Sequence, residues 1–114
     1  MDIRYLSEYV SWIIRNAYKE SGLSGSEVSC DSFSLILNTN AFDSSCLPDS
    51  LLGFEVLQAP LNSDIEVALG VKPEDTSSKD VRKFLRTFYE VQSWSDFHYG
   101  VTWKEECGID VGEG

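Results

Sequence analysis

The chain lacks positive charge over nearly half of its length. No lysine or arginine occurs between Glu20 and Val71, and all nine basic residues lie before or after this stretch. The stretch carries eight acidic residues: Glu20, Glu27, Asp31, Asp43, Asp49, Glu55, Asp64 and Glu66. The formal net charge is −10 over 114 residues. Direct binding to nucleic acid or to an anionic membrane surface would work against this field, so a basic protein partner is favoured.

Cysteine and long apolar runs are also scarce. The three cysteines, Cys30, Cys46 and Cys107, are odd in number and widely spaced, which suits reduced thiols better than a disulfide framework. No apolar run approaches the roughly 18 residues of a membrane helix. The first residues, with Asp2 and Arg4, form an amphipathic pattern rather than a signal peptide. We therefore expect a cytosolic protein that does not enter a membrane.

The sequence contains no motif that fixes a reaction or a cofactor. A structural zinc site usually needs local ligand pairs such as C-x-x-C, and neither the cysteines nor the single histidine, His98, is paired in this way. A G-x-S-x-G nucleophile elbow and a glycine-rich phosphate loop with its lysine are both absent. His98 lies two residues from Asp96 in a strand-like pattern, which favours a structural or surface histidine over a catalytic one. We predict a protein that is not an enzyme and uses no cofactor or metal.

Two amphipathic helices are predicted. In the first, apolar residues recur at spacings of three and four from Ile3, and Gly22 marks the end. The second is predicted from about Ser78 to Ser93, because serine and Asp80 supply capping oxygens and a favourable first-turn acid. The residues predicted to be buried on it are Val81, Phe84, Leu85, Phe88 and Val91, and those predicted to form its basic face are Lys79, Arg82, Lys83 and Arg86.

Alternation of apolar and polar residues predicts four strands. The first covers Phe33 to Leu37, where Ile36 interrupts the polar face and indicates a central strand. Two more are predicted at 54–59 and 65–71, joined by a link of hairpin length, and a last strand at 97–104. If the middle two pair as neighbours, Glu55 and Glu66 share one outer face.

These elements predict one α+β domain over residues 1–104, in the order α-β-β-β-α-β. Its antiparallel or mixed sheet is expected to have both helices on one face. The acidic, glycine-containing tail, 105–114, is expected to fray.

Two features of the sequence suggest contact with a partner. Tyr5, Tyr9 and Trp12 form a second stripe on the first helix, which is either a docking face or a second buried wall. Carboxylates on a rigid sheet can take the place of phosphates, because arginines recognise either anion. The residues predicted to bind a partner are Glu55, Asp64, Glu66, Asp43, Asp49, Tyr5, Tyr9 and Trp12.

The leading hypothesis is a small acidic inhibitor that occupies the basic, nucleic-acid-binding surface of a nuclease or a defence complex. An anti-CRISPR protein or another phage-encoded anti-defence protein would fit this description. The alternatives are an immunity protein against a nuclease toxin and a self-associating structural or assembly subunit, such as a homodimer.

Overall fold

The computed structural model describes residues 6–37, 54–59 and 67–97, together with Glu105 and Gly108. The described helices and strands are α1 (Leu6–Ser21), β1 (Phe33–Leu37), β2 (Glu55–Gln58), β3 (Val67–Val71) and α2 (Lys79–Phe97). Short 3-10 helices, Cys30–Ser32 and Pro73–Asp75, precede β1 and α2. The predicted α+β class is confirmed, with three strands in the part of the chain that the structure describes.

Helix α1 ends where the sequence predicts. Gly22 has a φ of +73°, a left-handed conformation that a residue with a Cβ rarely adopts. The side chain of Ser21 stabilises the same turn: its hydroxyl donates to the Tyr18 carbonyl at 3.2 Å and accepts from the Leu23 amide at 3.3 Å. The predicted start near Ile3 lies outside the described residues.

Helix α2 begins as predicted but extends further. The Ser78 hydroxyl accepts from the Val81 amide at 3.3 Å, which is an N-cap hydrogen bond. The helix continues past the predicted end at Ser93 to Phe97. The physical reason is tertiary: the Trp94 ring stacks on Trp12 of α1, so the last turns of α2 are held against the first helix. The first residue of the predicted last strand is therefore helical, and residues 98–104 lie outside the described part.

The sheet is mixed, in the order β2-β1-β3, so β1 is central as predicted. Strand β1 pairs parallel with β2 and antiparallel with β3. The two strands joined by the link of hairpin length, β2 and β3, are not neighbours in the sheet, because β1 lies between them. A parallel pair needs a crossover connection of about a dozen residues or more, and the segment 38–53 between β1 and β2 is long enough to supply it.

One face of the sheet packs on both helices. Phe33, Leu35 and Leu37 of β1 alternate toward this face and are fully buried. The Phe84 ring of α2 lies 4.5 Å from the Tyr18 ring of α1 and 5.4 Å from the Phe33 ring, measured between centroids. The two helices and the central strand therefore share one aromatic contact at the centre of the core. The predicted buried stripe of α2 is confirmed, with Leu85 only partly buried.

Side chains of α2 bind the backbone of β3. The Tyr89 hydroxyl accepts from the Leu69 amide at 3.0 Å and donates to the Leu69 carbonyl at 3.4 Å. The Gln92 amide donates to the Val67 carbonyl at 2.8 Å. These side chains therefore satisfy backbone groups of β3 that would otherwise be open to another strand.

We expect Tyr89→Phe to lower the free energy of unfolding by about 1 kcal/mol, because it removes both hydrogen bonds to Leu69 and keeps the ring. Urea unfolding measures this change. Hydrogen exchange of the Leu69 amide should accelerate, while exchange of the Leu35 amide in the central strand changes only as much as global stability does. Unchanged exchange at Leu69 would show that the hydroxyl does not protect this strand.

A second tyrosine connects α1 to the loop that follows it. The Tyr18 hydroxyl donates to the Val28 carbonyl at 2.6 Å. Burial raises the pKa of Tyr18 above its ordinary value, and the negative charge of the Cys30 thiolate raises it further. The folded chain thus holds this proton more tightly than the unfolded chain. The neutral hydroxyl contributes stability below the ordinary tyrosine pKa of about 10, and this contribution is lost as the pH rises through the raised value.

We expect the Tyr18 ring carbon signal, followed by NMR with labelled tyrosine, to titrate at a higher pH than N-acetyltyrosinamide. Tyr18→Phe assigns the signal and should cost about 1 kcal/mol at neutral pH, since it leaves the Val28 carbonyl without this donor. The difference in stability between wild type and Tyr18→Phe should shrink above about pH 10. A titration at or below that of the free compound would contradict the assignment.

Candidate partner-binding surfaces

The outer face of the sheet, opposite the helices, carries one of the predicted contact residues. The strand register places Glu55 beside Ser34 and Gly70 in one row, and Leu57 beside Ile36 and Ala68 in the next. Glu55 is exposed, and its carboxylate accepts from the Ser34 hydroxyl at 3.4 Å. Leu57 is 42% exposed. Among the described residues, these two rows carry one carboxylate, Glu55, and no base, and Lys72 follows β3, where its backbone N–H donates to the Ser32 carbonyl at 3.1 Å.

The strands meet closely on this face. A Cβ at Gly70 would lie 3.3 Å from the Ile36 Cδ1 atom, so the glycine lets the side chain of the central strand extend over β3. Glu55 is carried on a strand paired with β1, and its position is fixed by the sheet backbone rather than by a loop. The face therefore offers a partner a carboxylate in a defined place.

The other predicted acidic contacts, Asp43, Asp49, Asp64 and Glu66, lie outside the described residues, as does Tyr5. The expectation that Glu55 and Glu66 share a face through neighbouring strands does not hold in that form, because β2 and β3 are separated by β1. Glu55 is thus the single predicted acidic contact that the structure places.

The aromatic stripe of α1 lies in the core where the structure describes it. Tyr9 is 2% exposed and Trp12 is 0% exposed. The interpretation of these two rings as a docking face is therefore corrected, and their burial supports the alternative, a second wall of the core. For Trp12 the physical reason is α2, whose Trp94 ring stacks on it at 5.9 Å between ring centroids and 16° between planes.

An exposed aromatic surface lies on α2 instead. Trp94 is 46% exposed and Tyr89 is 39% exposed. Trp94 lines two depressions in the surface. The first has a volume of about 390 Å³ and lies between α1 and α2, and we call it the interhelical groove. Its described lining residues are Trp12, Asn16, Lys19, Glu20, Thr87, Glu90, Val91 and Trp94. The second is more open, and its described lining residues are Arg86, Tyr89, Glu90, Ser93 and Trp94.

The sequence contains a signal for this surface. Val91 and Trp94 continue the three-residue spacing of the buried stripe of α2, which indicates a helix that extends beyond Ser93. The alternation that starts at Phe97 predicts a strand there, which places the predicted end of the helix at Ser93. Trp94 then falls between the predicted helix and the predicted strand.

Two polar side chains of the interhelical groove bond to the backbone of their own helices. The Asn16 side-chain amide donates to the Trp12 carbonyl at 2.9 Å, and the Thr87 hydroxyl donates to the Lys83 carbonyl at 2.9 Å. The Thr87 proton is used in this way, as is one amide proton of Asn16. The Asn16 side-chain oxygen and its second amide proton remain for a ligand, whereas Thr87 is only 8% exposed.

The basic face predicted for α2 is exposed. It consists of Lys79, Arg82, Lys83 and Arg86. The Arg82 guanidinium donates to the Thr76 carbonyl at 3.1 Å, across the start of the helix. Since the opposite side of α2 is in the core, these bases point away from the sheet. The four bases thus share one exposed side of α2, while Glu55 lies on the outer face of the sheet.

The described residues do not form a metal centre. Within them, no three histidine, cysteine or acidic side chains come close enough together to hold a metal ion. Cys30 is free and partly buried. His98, Cys46 and Cys107 lie outside the described part of the chain. Neither described helix is both long and apolar enough to cross a bilayer.

Comparison with known protein families, curated proteins and solved structures finds no match to this chain.

Proposed function

We propose that this protein is a small acidic inhibitor that binds a basic protein surface in the cytoplasm. Its target is the nucleic-acid-binding surface of a nuclease or of a defence complex. The observation that carries the proposal is the outer face of the sheet, where Glu55 is exposed and its strand is held in place by pairing with β1.

The division of charge supports binding in one orientation. The net charge of −10 draws a basic partner toward the molecule as a whole. The exposed bases of α2 lie away from the sheet, so a basic partner meets repulsion at that face of the helix. The two rows of the sheet that hold Glu55 and Leu57 carry no base, which favours approach of the partner toward the sheet.

The chemistry of the sheet face suits a site that normally holds phosphate. The arginines of a nucleic-acid groove bind planar carboxylates and phosphates by the same paired hydrogen bonds. A carboxylate on a paired strand binds with little loss of backbone freedom. Leu57, exposed in the row next to Glu55, adds an apolar contact that a phosphate backbone does not offer. The protein can thus compete with nucleic acid for the same groove.

We expect affinity capture from a host lysate at about 0.1 M salt to recover a nucleic-acid-binding protein that is released at about 1 M salt, where the Debye length is roughly 3 Å. The target is then purified and its binding measured directly. Glu55→Lys should weaken this binding about tenfold or more, because it places a base in the basic groove. A nuclease toxin as the captured target would identify an immunity protein that uses the same surface.

Glu74→Lys is the matched control, because Glu74 is also exposed and the change in net charge is the same, but it lies in the turn before α2. It should weaken binding only by the small effect of net charge. Equal losses for the two variants, or a partner that stays bound at high salt, would contradict binding through the sheet face.

A further inference from the structure

The interhelical groove has an aromatic wall that the proposed sheet contact does not use. One side of Trp94 rests on the buried Trp12 ring, and 46% of Trp94 remains accessible. A half-exposed tryptophan supported by a second ring is held in place. Tryptophan is also the side chain that binds a cation over its face most strongly.

The polar groups of the groove are mainly acceptors. Glu20 of α1 and Glu90 of α2 line it from its two helices, and both are exposed. Asn16 directs one of its amide protons to the Trp12 carbonyl, and its side-chain oxygen is a further acceptor. The described lining contains one base, Lys19. A ligand rich in donors and without acceptors therefore complements this groove.

We propose that the groove binds one arginine side chain of the protein partner, with the guanidinium against Trp94 and beside the carboxylates of Glu20 and Glu90. An arginine has five N–H donors and no acceptor, is planar, and stacks on aromatic rings. A lysine ammonium has fewer donors and is more strongly hydrated, so it fits less well. This inference rests on the proposed function in that the partner is basic, and it names the side chain that the groove recognises.

The probe is N-acetyl-arginine N-methylamide, with the citrulline derivative as its neutral isostere. Titration is followed by NMR at the indole N–H of Trp94, assigned with Trp94→Phe. We expect a saturable shift with the arginine compound, at a dissociation constant in the millimolar range for a single exposed contact of this kind, and none with the citrulline compound. The lysine derivative should bind more weakly than the arginine derivative.

Charge variants test the two carboxylates. Glu20→Gln with Glu90→Gln should weaken binding of the arginine compound about fivefold or more, whereas Lys19→Gln should tighten it. The matched control is Glu74→Gln with Glu105→Gln, which removes two exposed carboxylates outside the groove and should have little effect. Equal binding of the citrulline compound, or an equal loss in the control pair, would overturn the proposal.

The outcomes separate this inference from the proposed function. If the captured target binds the Glu55→Lys variant more weakly, but the arginine compound does not shift the Trp94 signal, the proposed arginine site is rejected and the proposed sheet contact stands. A saturable arginine shift that depends on Glu20 and Glu90, with no basic protein captured, keeps the groove as an arginine site and rejects the proposed inhibitor.

Discussion

The fold depends on one aromatic contact, made by Phe84 of α2 with Tyr18 of α1 and Phe33 of β1. All three elements meet there, so the orientation of each helix on the sheet is set by rings that cannot shift independently. Phe84 and Phe33 are fully buried, while Tyr18 reaches the loop after α1 through its hydrogen bond to Val28. The core and the connection from α1 to the sheet are thus one cooperative unit.

The same helix that closes the core also protects an edge of the sheet. The buried stripe of α2 fixes its rotation, and that rotation brings Tyr89 and Gln92 to the backbone of β3. Edge backbone groups invite pairing with other chains unless something covers them. In this protein the cover comes from side chains of a packed helix, so protection of β3 requires that α2 is already in place.

The elements of this fold could be predicted from the sequence because their signals are local. The apolar spacing of α1 and α2, the alternation of β1 and β3, and Gly22 as a helix end all depend on near neighbours in the chain. The central place of β1 was predictable from Ile36, which interrupts its polar face, but the partners of β1 were not. The short link between β2 and β3 suggested a hairpin, whereas both strands pair with β1. For the candidate sites, exposure of Glu55 follows from alternation alone, whereas the cover over Trp12 depends on how far α2 extends.

The length of α2 therefore decides where the exposed aromatic surface lies. A helix that ended at Ser93 would leave Trp12 without the ring that stacks on it. Because α2 continues through Trp94, Trp12 becomes a buried support and Trp94 becomes the accessible ring. The carboxylates of Glu20 and Glu90 then lie along one groove although they belong to different helices. A partner bound at the sheet face reaches this groove only around the side of the domain, so engagement of both surfaces requires a target that wraps the molecule or two separate contacts.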